Sequence, residues 1–339
     1  MSNSPLTRAV RPASTSRVQG WRNLLFALVP LACLPYLVLK ISWLCGGTAG
    51  IPEGSVLRDG GGTLWAVNLL TAVMDATVIL LALALTHPRG RRLPSTLVAV
   101  PLWCASGLLG LILVAFPIQA LHGALTGAGG STGDADGGAE ELLDGWVWNT
   151  VYTGFSVQGL VLAALSVLYV RERWGALLRI RPGTLPGAPR PTARSRAVLG
   201  VAALGALPVA AFHALWAAGS EWGLDAEVAA ERTADTRIVE ATHLLFVLLA
   251  VAGTAWLVRG GGRVPLWRPL LVAWVGSGAL ACWGAWMLMG ALSGGGRTLG
   301  DRITGPMQGT YVLQTLVGLL LAALVARALT GCARALERR

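Results

Sequence analysis

The sequence is poor in charge. Only 13% of its 339 residues are Asp, Glu, Lys or Arg, about half the ~25% typical of soluble domains. That shortage excludes an ordinary water-facing globular surface. Lysine is almost absent, with Lys40 alone. The five cysteines (Cys33, Cys45, Cys104, Cys282 and Cys332) form no CxxC pair, so neither a disulfide framework nor a cysteine metal site is indicated. There is no P-loop, no Gly-x-Ser-x-Gly and no dinucleotide fingerprint. Short alternating segments are also missing, which excludes a β-barrel.

What the chain has is apolar length. Hydrophobic residues make up 54% of it. Runs of about 20 apolar residues recur, each long enough to cross a hydrocarbon core. Eight spans are expected, near residues 21–44, 63–85, 95–121, 146–170, 197–218, 238–258, 269–292 and 304–328. The fold class is therefore all-α integral membrane.

The formal net charge is +10, a sign that in a soluble protein would suggest nucleic acid. Here the arginines sit in alternate loops, so topology accounts for them and no nucleic-acid partner is implied. HPRGRRLP, the segment from Arg171 to Arg196 and RGGGRVPLWR are basic. Asp134, Asp136, Glu140, Glu141 and Asp144 lie in one intervening loop, and Glu221, Asp225, Glu227, Glu231 and Asp235 in another. Eight spans with both termini cytoplasmic satisfy the positive-inside rule without an exception. The expected organisation is a disordered N-terminus (1–20), four spans (21–170), an Arg/Pro-rich cytoplasmic linker (171–196), four more spans (197–328) and a basic tail (329–339).

The two halves echo each other. LPYLVLKISWLCGG (Leu34 to Gly47) aligns without a gap to LPVAAFHALWAAGS (Leu207 to Ser220). Pro35 meets Pro208, Lys40 meets His213, Trp43 meets Trp216 and Gly46 meets Gly219. RRLPSTLVAVPLWCASGLLG from Arg91 aligns to GRVPLWRPLLVAWVGSGALA from Gly262. There Trp103 meets Trp274, Ser106 meets Ser277 and Gly107 meets Gly278. Spans four and eight share an aromatic followed three residues on by glutamine (Phe155 and Gln158; Tyr311 and Gln314). Spans two and six match least, and one alignment pairs Asp75 with Glu240. The expectation is two tandem four-helix repeats of parallel orientation.

Pro35 and Pro208 interrupt spans one and five and should free the carbonyls of Leu31 and Leu204. Matching interrupted helices mark a site between repeats or serve packing alone. Lys40 and Trp43 share a helical face near the outer end of span one, and His213 and Trp216 repeat the spacing. Lys40 either snorkels to the interface beside a belt tryptophan or faces the bundle as a cationic contact for an anionic group. Asp75 lies about 16 Å inside span two by helix rise. Intramembrane carboxylates are functional candidates, either paired, here with Lys40, or held protonated as a relay acid. Gln158 and Gln314 line a cavity or bridge helices.

Glu240-Ala241-Thr242-His243 places an acid and a histidine on one face. With His213 they make a three-ligand set suited to Zn or another transition metal. Eight spans in two halves superficially resemble haem A synthase, but spans four and eight carry no histidine, so haem ligation is not expected.

KISWLCGGTAGIP, HALWAAGSEWGL and PLWCASGLLG give the chain a likeness that covers both halves. It resembles multi-spanning membrane proteins of high-GC Gram-positive bacteria with no assigned activity. The resemblance implies a bacterial plasma-membrane location and adds no catalytic residue.

Three readings stand. The first is a small-molecule or ion transporter without a cofactor, its site lying between the repeats on spans one, two, five and six. Lys40, Trp43, His213, Trp216, Gln158 and Gln314 would be its polar and aromatic contacts, and Asp75 its proton- or cation-coupling acid. The second is a metal-dependent membrane enzyme using His213, Glu240 and His243. The third is a partner subunit that docks a cytoplasmic protein on residues 171–196.

Overall fold

A computed structural model describes residues 13–58, 61–127, 143–184, 191–259, 264–292 and 303–338. Residues 1–12 of the expected disordered N-terminus lie outside this range. So do Asp134, Asp136, Glu140 and Glu141 of the acidic loop, and residues 185–190 of the linker.

Eight long helices account for the described chain: α1 (Ala13–Leu44), α2 (Gly61–Thr86), α3 (Ser95–Thr126), α4 (Gly145–Arg179), α5 (Ala193–Ala217), α6 (Ala234–Arg259), α7 (Trp267–Leu292) and α8 (Gly305–Glu337). A single helical turn, Ala226–Ala230, sits between α5 and α6. No strand occurs among the described residues. All eight helices are long and apolar enough to cross a membrane. Their outer faces carry Leu31, Val38, Leu160, Leu204 and Leu207, all exposed. Such a belt suits lipid, which solvates an apolar surface as well as a protein core does. The protein is an integral membrane protein.

The helices form two groups. In the first, α1 packs on α2 and α4, and α3 on α4, around Val29, Cys33, Leu85, Leu165 and Tyr169. In the second, α5, α6, α7 and α8 pack around Ala206, Val209, Phe246, Ala250 and Leu321. The groups meet chiefly where α3 lies against α7 and α6. A Cβ on Gly107 would fall 2.3 Å from the Gly278 carbonyl carbon. This close approach is what small residues permit in helix packing within membranes. Two tryptophans bracket it reciprocally. Trp103 Nε1–H donates to Ser277 Oγ (3.2 Å), and Trp274 Nε1–H donates to Ser106 Oγ (3.1 Å).

The turns after α1 and α5 have the same construction. Gly46 (φ +86°) and Gly219 (φ +93°) adopt the left-handed conformation that glycine tolerates best. The next N–H groups reach back to close the helix ends, Gly47 to the Ser42 carbonyl and Ser220 to the Leu215 carbonyl, each at 2.8 to 2.9 Å. The Trp43 indole donates to the Ala49 carbonyl (2.8 Å) and the Trp216 indole to the Trp222 carbonyl (3.0 Å). These tryptophans therefore pin loops.

At the opposite end, Arg22 grips Glu172 through two bonds of 2.8 and 2.9 Å and donates to the Leu85 carbonyl (2.9 Å). Arg173 reaches the Leu93 carbonyl (2.6 Å) and the Tyr169 hydroxyl, which itself donates to the Gly90 carbonyl (3.1 Å). These bonds explain why α4 runs on to Arg179, where the sequence suggested a linker from residue 171. Likewise α8 continues through the expected tail, burying Cys332 and Ala335.

Candidate functional site

Two buried polar clusters lie inside the bundle, one in each helix group. Both sit near the end opposite the Arg22–Glu172 pair. The second cluster is the more tightly bonded. His213 of α5 places Nδ1 2.6 Å from Glu240 Oε2 and Nε2 3.0 Å from Gln314 Oε1. The Gln314 amide nitrogen lies 3.5 Å from His243 Nδ1. The two imidazoles stack, with centroids 4.8 Å apart and planes 12° from parallel. Trp216 and Trp283 close the sides edge-on. Arg232 approaches Glu240 at 4.0 Å and donates to the Trp216 carbonyl (2.8 Å).

Hydrogen counting constrains this chain of groups. If Gln314 Oε1 accepts from His213 Nε2–H, a neutral His213 has only a lone pair at Nδ1. The Glu240 contact then needs a proton on the carboxyl, or His213 must be imidazolium. With the Gln314 amide in the opposite orientation, a neutral His213 donates from Nδ1 to the Glu240 carboxylate and accepts at Nε2.

His213, Glu240 and His243, expected as metal ligands, do come together. Both nitrogens of His213 are hydrogen-bonded, however, and parallel stacked rings send their in-plane lone pairs past one another. Among the described residues no group of three His, Cys, Asp or Glu is arranged to hold a metal ion. Glu221, in the loop after α5, is exposed.

In the first cluster Lys40 is buried, so it faces the bundle instead of snorkelling. Its Nζ donates to Asn68 Oδ1 (2.8 Å) and sits over the rings of Tyr36 (4.7 Å) and Trp43 (4.9 Å). Face-on aromatic rings stabilise a cation through their quadrupoles. Asp75, the partner suggested for Lys40, lies two helical turns deeper on α2. It makes no ion pair with Lys40 and interacts only electrostatically with Lys40, Cys33 and Tyr36 of α1. Asp75 is 3% exposed and its Oδ2 has no hydrogen-bond partner. Gln158 of α4, 1% exposed, is close enough to interact with Asp75, yet neither of its amide atoms meets hydrogen-bond geometry.

Asn68 bonds Lys40 across α1 and α2 as Glu240 bonds His213 across α5 and α6. Pro35 and Pro208 are both on exposed faces and line neither cluster. The clusters are separate. Residues of α1, α2 and α4 build one and residues of α5, α6 and α8 the other, while α3 and α7 form the junction.

Asn68, Tyr36 and Arg232 were not anticipated. Asn68 is one heptad before Asp75, so the shared helix face was a usable signal. Arg232 is a basic residue in an acidic loop, an exception to the expected charge segregation. Arg58 and Arg237 are others. Each has a local role: Arg58 donates to the Ile51 carbonyl (2.8 Å) and the Arg237 guanidinium packs on Gly219.

No protein-family model, curated protein or solved structure matches the chain.

Proposed function

We propose that this membrane protein is a transporter or permease for a small molecule or ion, built as two tandem four-helix repeats with both termini cytoplasmic. The observation that carries the reading is Asp75 with Gln158, a carboxyl whose Oδ2 and an amide whose two polar atoms are buried without hydrogen bonds inside membrane-spanning helices. Such groups are costly in a bilayer and are kept where they bind something that moves. Lys40 and His213, each a turn from the end of its helix, are the candidate solute contacts. The repeat reading is supported by the reciprocal Trp103–Ser277 and Trp274–Ser106 bonds, by the matching turns at Gly46 and Gly219, and by the two separate clusters. A parallel pseudo-two-fold would relate the halves across α3 and α7.

The experiment is flux into proteoliposomes that hold a pH-reporting dye, under an imposed proton gradient and a panel of small carboxylates and amines. A solute-dependent flux is expected. It should be lost in Asp75→Asn and retained in part in Asp75→Glu. No flux with any solute, in protein shown to be folded, counts against transport.

The meeting of His213, Glu240 and His243 supports a second reading, metal-dependent chemistry at that end of the bundle. Elemental analysis separates the two. About one transition metal per chain, lost in His243→Ala, would favour the enzyme.

A further inference from the structure

A buried lysine and a buried aspartate on adjacent helices would ordinarily pair, because an unpaired charge in a low-dielectric interior is expensive. Here they do not. Lys40 is held two turns away by Asn68 and by the rings of Tyr36 and Trp43. Asp75 Oδ2 and both amide atoms of Gln158 are left without hydrogen bonds.

We infer that Asp75 and Gln158 form a site for a small exchangeable monovalent cation, and that Lys40 is its tethered substitute. This rests on the transporter reading and names its coupling ion. The shared chemistry is a proton or a sodium ion, each of which an oxygen pair from a carboxylate and an amide accepts. The groups around the site agree. Asp75 interacts electrostatically with Cys33, Tyr36 and Lys40 of α1, and Gln158 approaches it from α4. Asp75 is the one anion among them.

Lys40 is placed for the exchange. Side chains on a helix lean toward its N-terminus, which for Lys40 is the direction of Tyr36 and Cys33, the level where Asp75 lies. With the cation bound, the carboxylate is neutralised and Lys40 rests on Asn68 and the two rings. When the cation leaves, the ammonium swings down and replaces it. The carboxylate then never faces the bilayer core uncompensated, and the unloaded protein can return across its cycle.

The test is thermal unfolding of the purified full chain in detergent. Sodium chloride is titrated against N-methylglucamine chloride at constant ionic strength, at two pH values. A melting temperature that rises with sodium, or on acidification, is expected, because a ligand bound only by the folded state stabilises it. A rise with sodium at both pH values identifies the metal cation, and a rise with acid alone identifies the proton. Asp75→Asn and Gln158→Leu should abolish the rise. Lys40→Met should keep it and reach half-effect at a severalfold lower cation concentration, since the internal competitor is gone. Identical responses in wild type and Asp75→Asn would overturn the site. An unchanged half-effect in Lys40→Met would overturn the substitute. The readout is binding, so a cation response without solute flux defeats only the transporter reading, and flux without a cation response defeats only the site.

Discussion

His213 is held on three sides. Glu240 and Gln314 take its two nitrogens and His243 covers its face. Removing one member of such a network leaves the others buried and unpaired, which costs about 1–3 kcal/mol per group. Gln314→Leu should therefore lower the unfolding midpoint in detergent more than Gln158→Leu, because Gln158 has no hydrogen bond to lose. Equal losses would mean that the Gln314 contacts carry no stability. At this scale the sequence was half legible. Lys40, Asp75, Glu240 and His243 stood out because charge is rare in membrane spans. Their partners did not, since Asn68 and Tyr36 are ordinary in such helices and Arg232 arrives from a loop.

At the scale of the element, the helices were legible and their ends less so. Apolar length fixes where a helix must cross lipid, but the bonds that extend it beyond lipid are tertiary. α4 continues because Glu172 finds Arg22 and Arg173 finds Leu93, neither of them close in sequence. The α3–α7 junction is different, because the Ser-Gly pairs that build it are local and were readable. Gly107→Val should loosen it severely, since even a Cβ there meets Gly278 backbone at 2.3 Å. Overpacking of this kind costs about 1–3 kcal/mol or more, and faster proteolysis between the halves would report it. The turn at Gly46 predicts a milder effect. Gly46→Ala should cost about 1 kcal/mol from the left-handed backbone alone, as nothing lies within 4 Å of the added carbon. Comparable midpoints for Gly46→Ala and Gly107→Val would contradict this account of the junction.

At the scale of the molecule, two four-helix groups stand side by side in a bilayer, each with its own polar cluster. The two polar clusters lie apart, because the seam is made by α3 against α7 and α6. Sequence alignment could pair the halves but could not say which faces meet. Orientation is testable with a native thiol. Cys45 is exposed just beyond α1, whereas Cys33 and Cys332 are buried. With both termini cytoplasmic, a membrane-impermeant maleimide added to intact cells should label Cys45. Protection in intact cells, with labelling only after the membrane is opened, would invert the topology.

The most direct measurement is charge movement in proteoliposomes adsorbed to a solid-supported electrode, recorded during a rapid jump in sodium or proton concentration. It needs no knowledge of the solute. A transient current is expected for the wild type and none for Asp75→Asn reconstituted at the same density. A current that persists unchanged in Asp75→Asn, or its absence in both, would contradict a cation-binding transport site at Asp75.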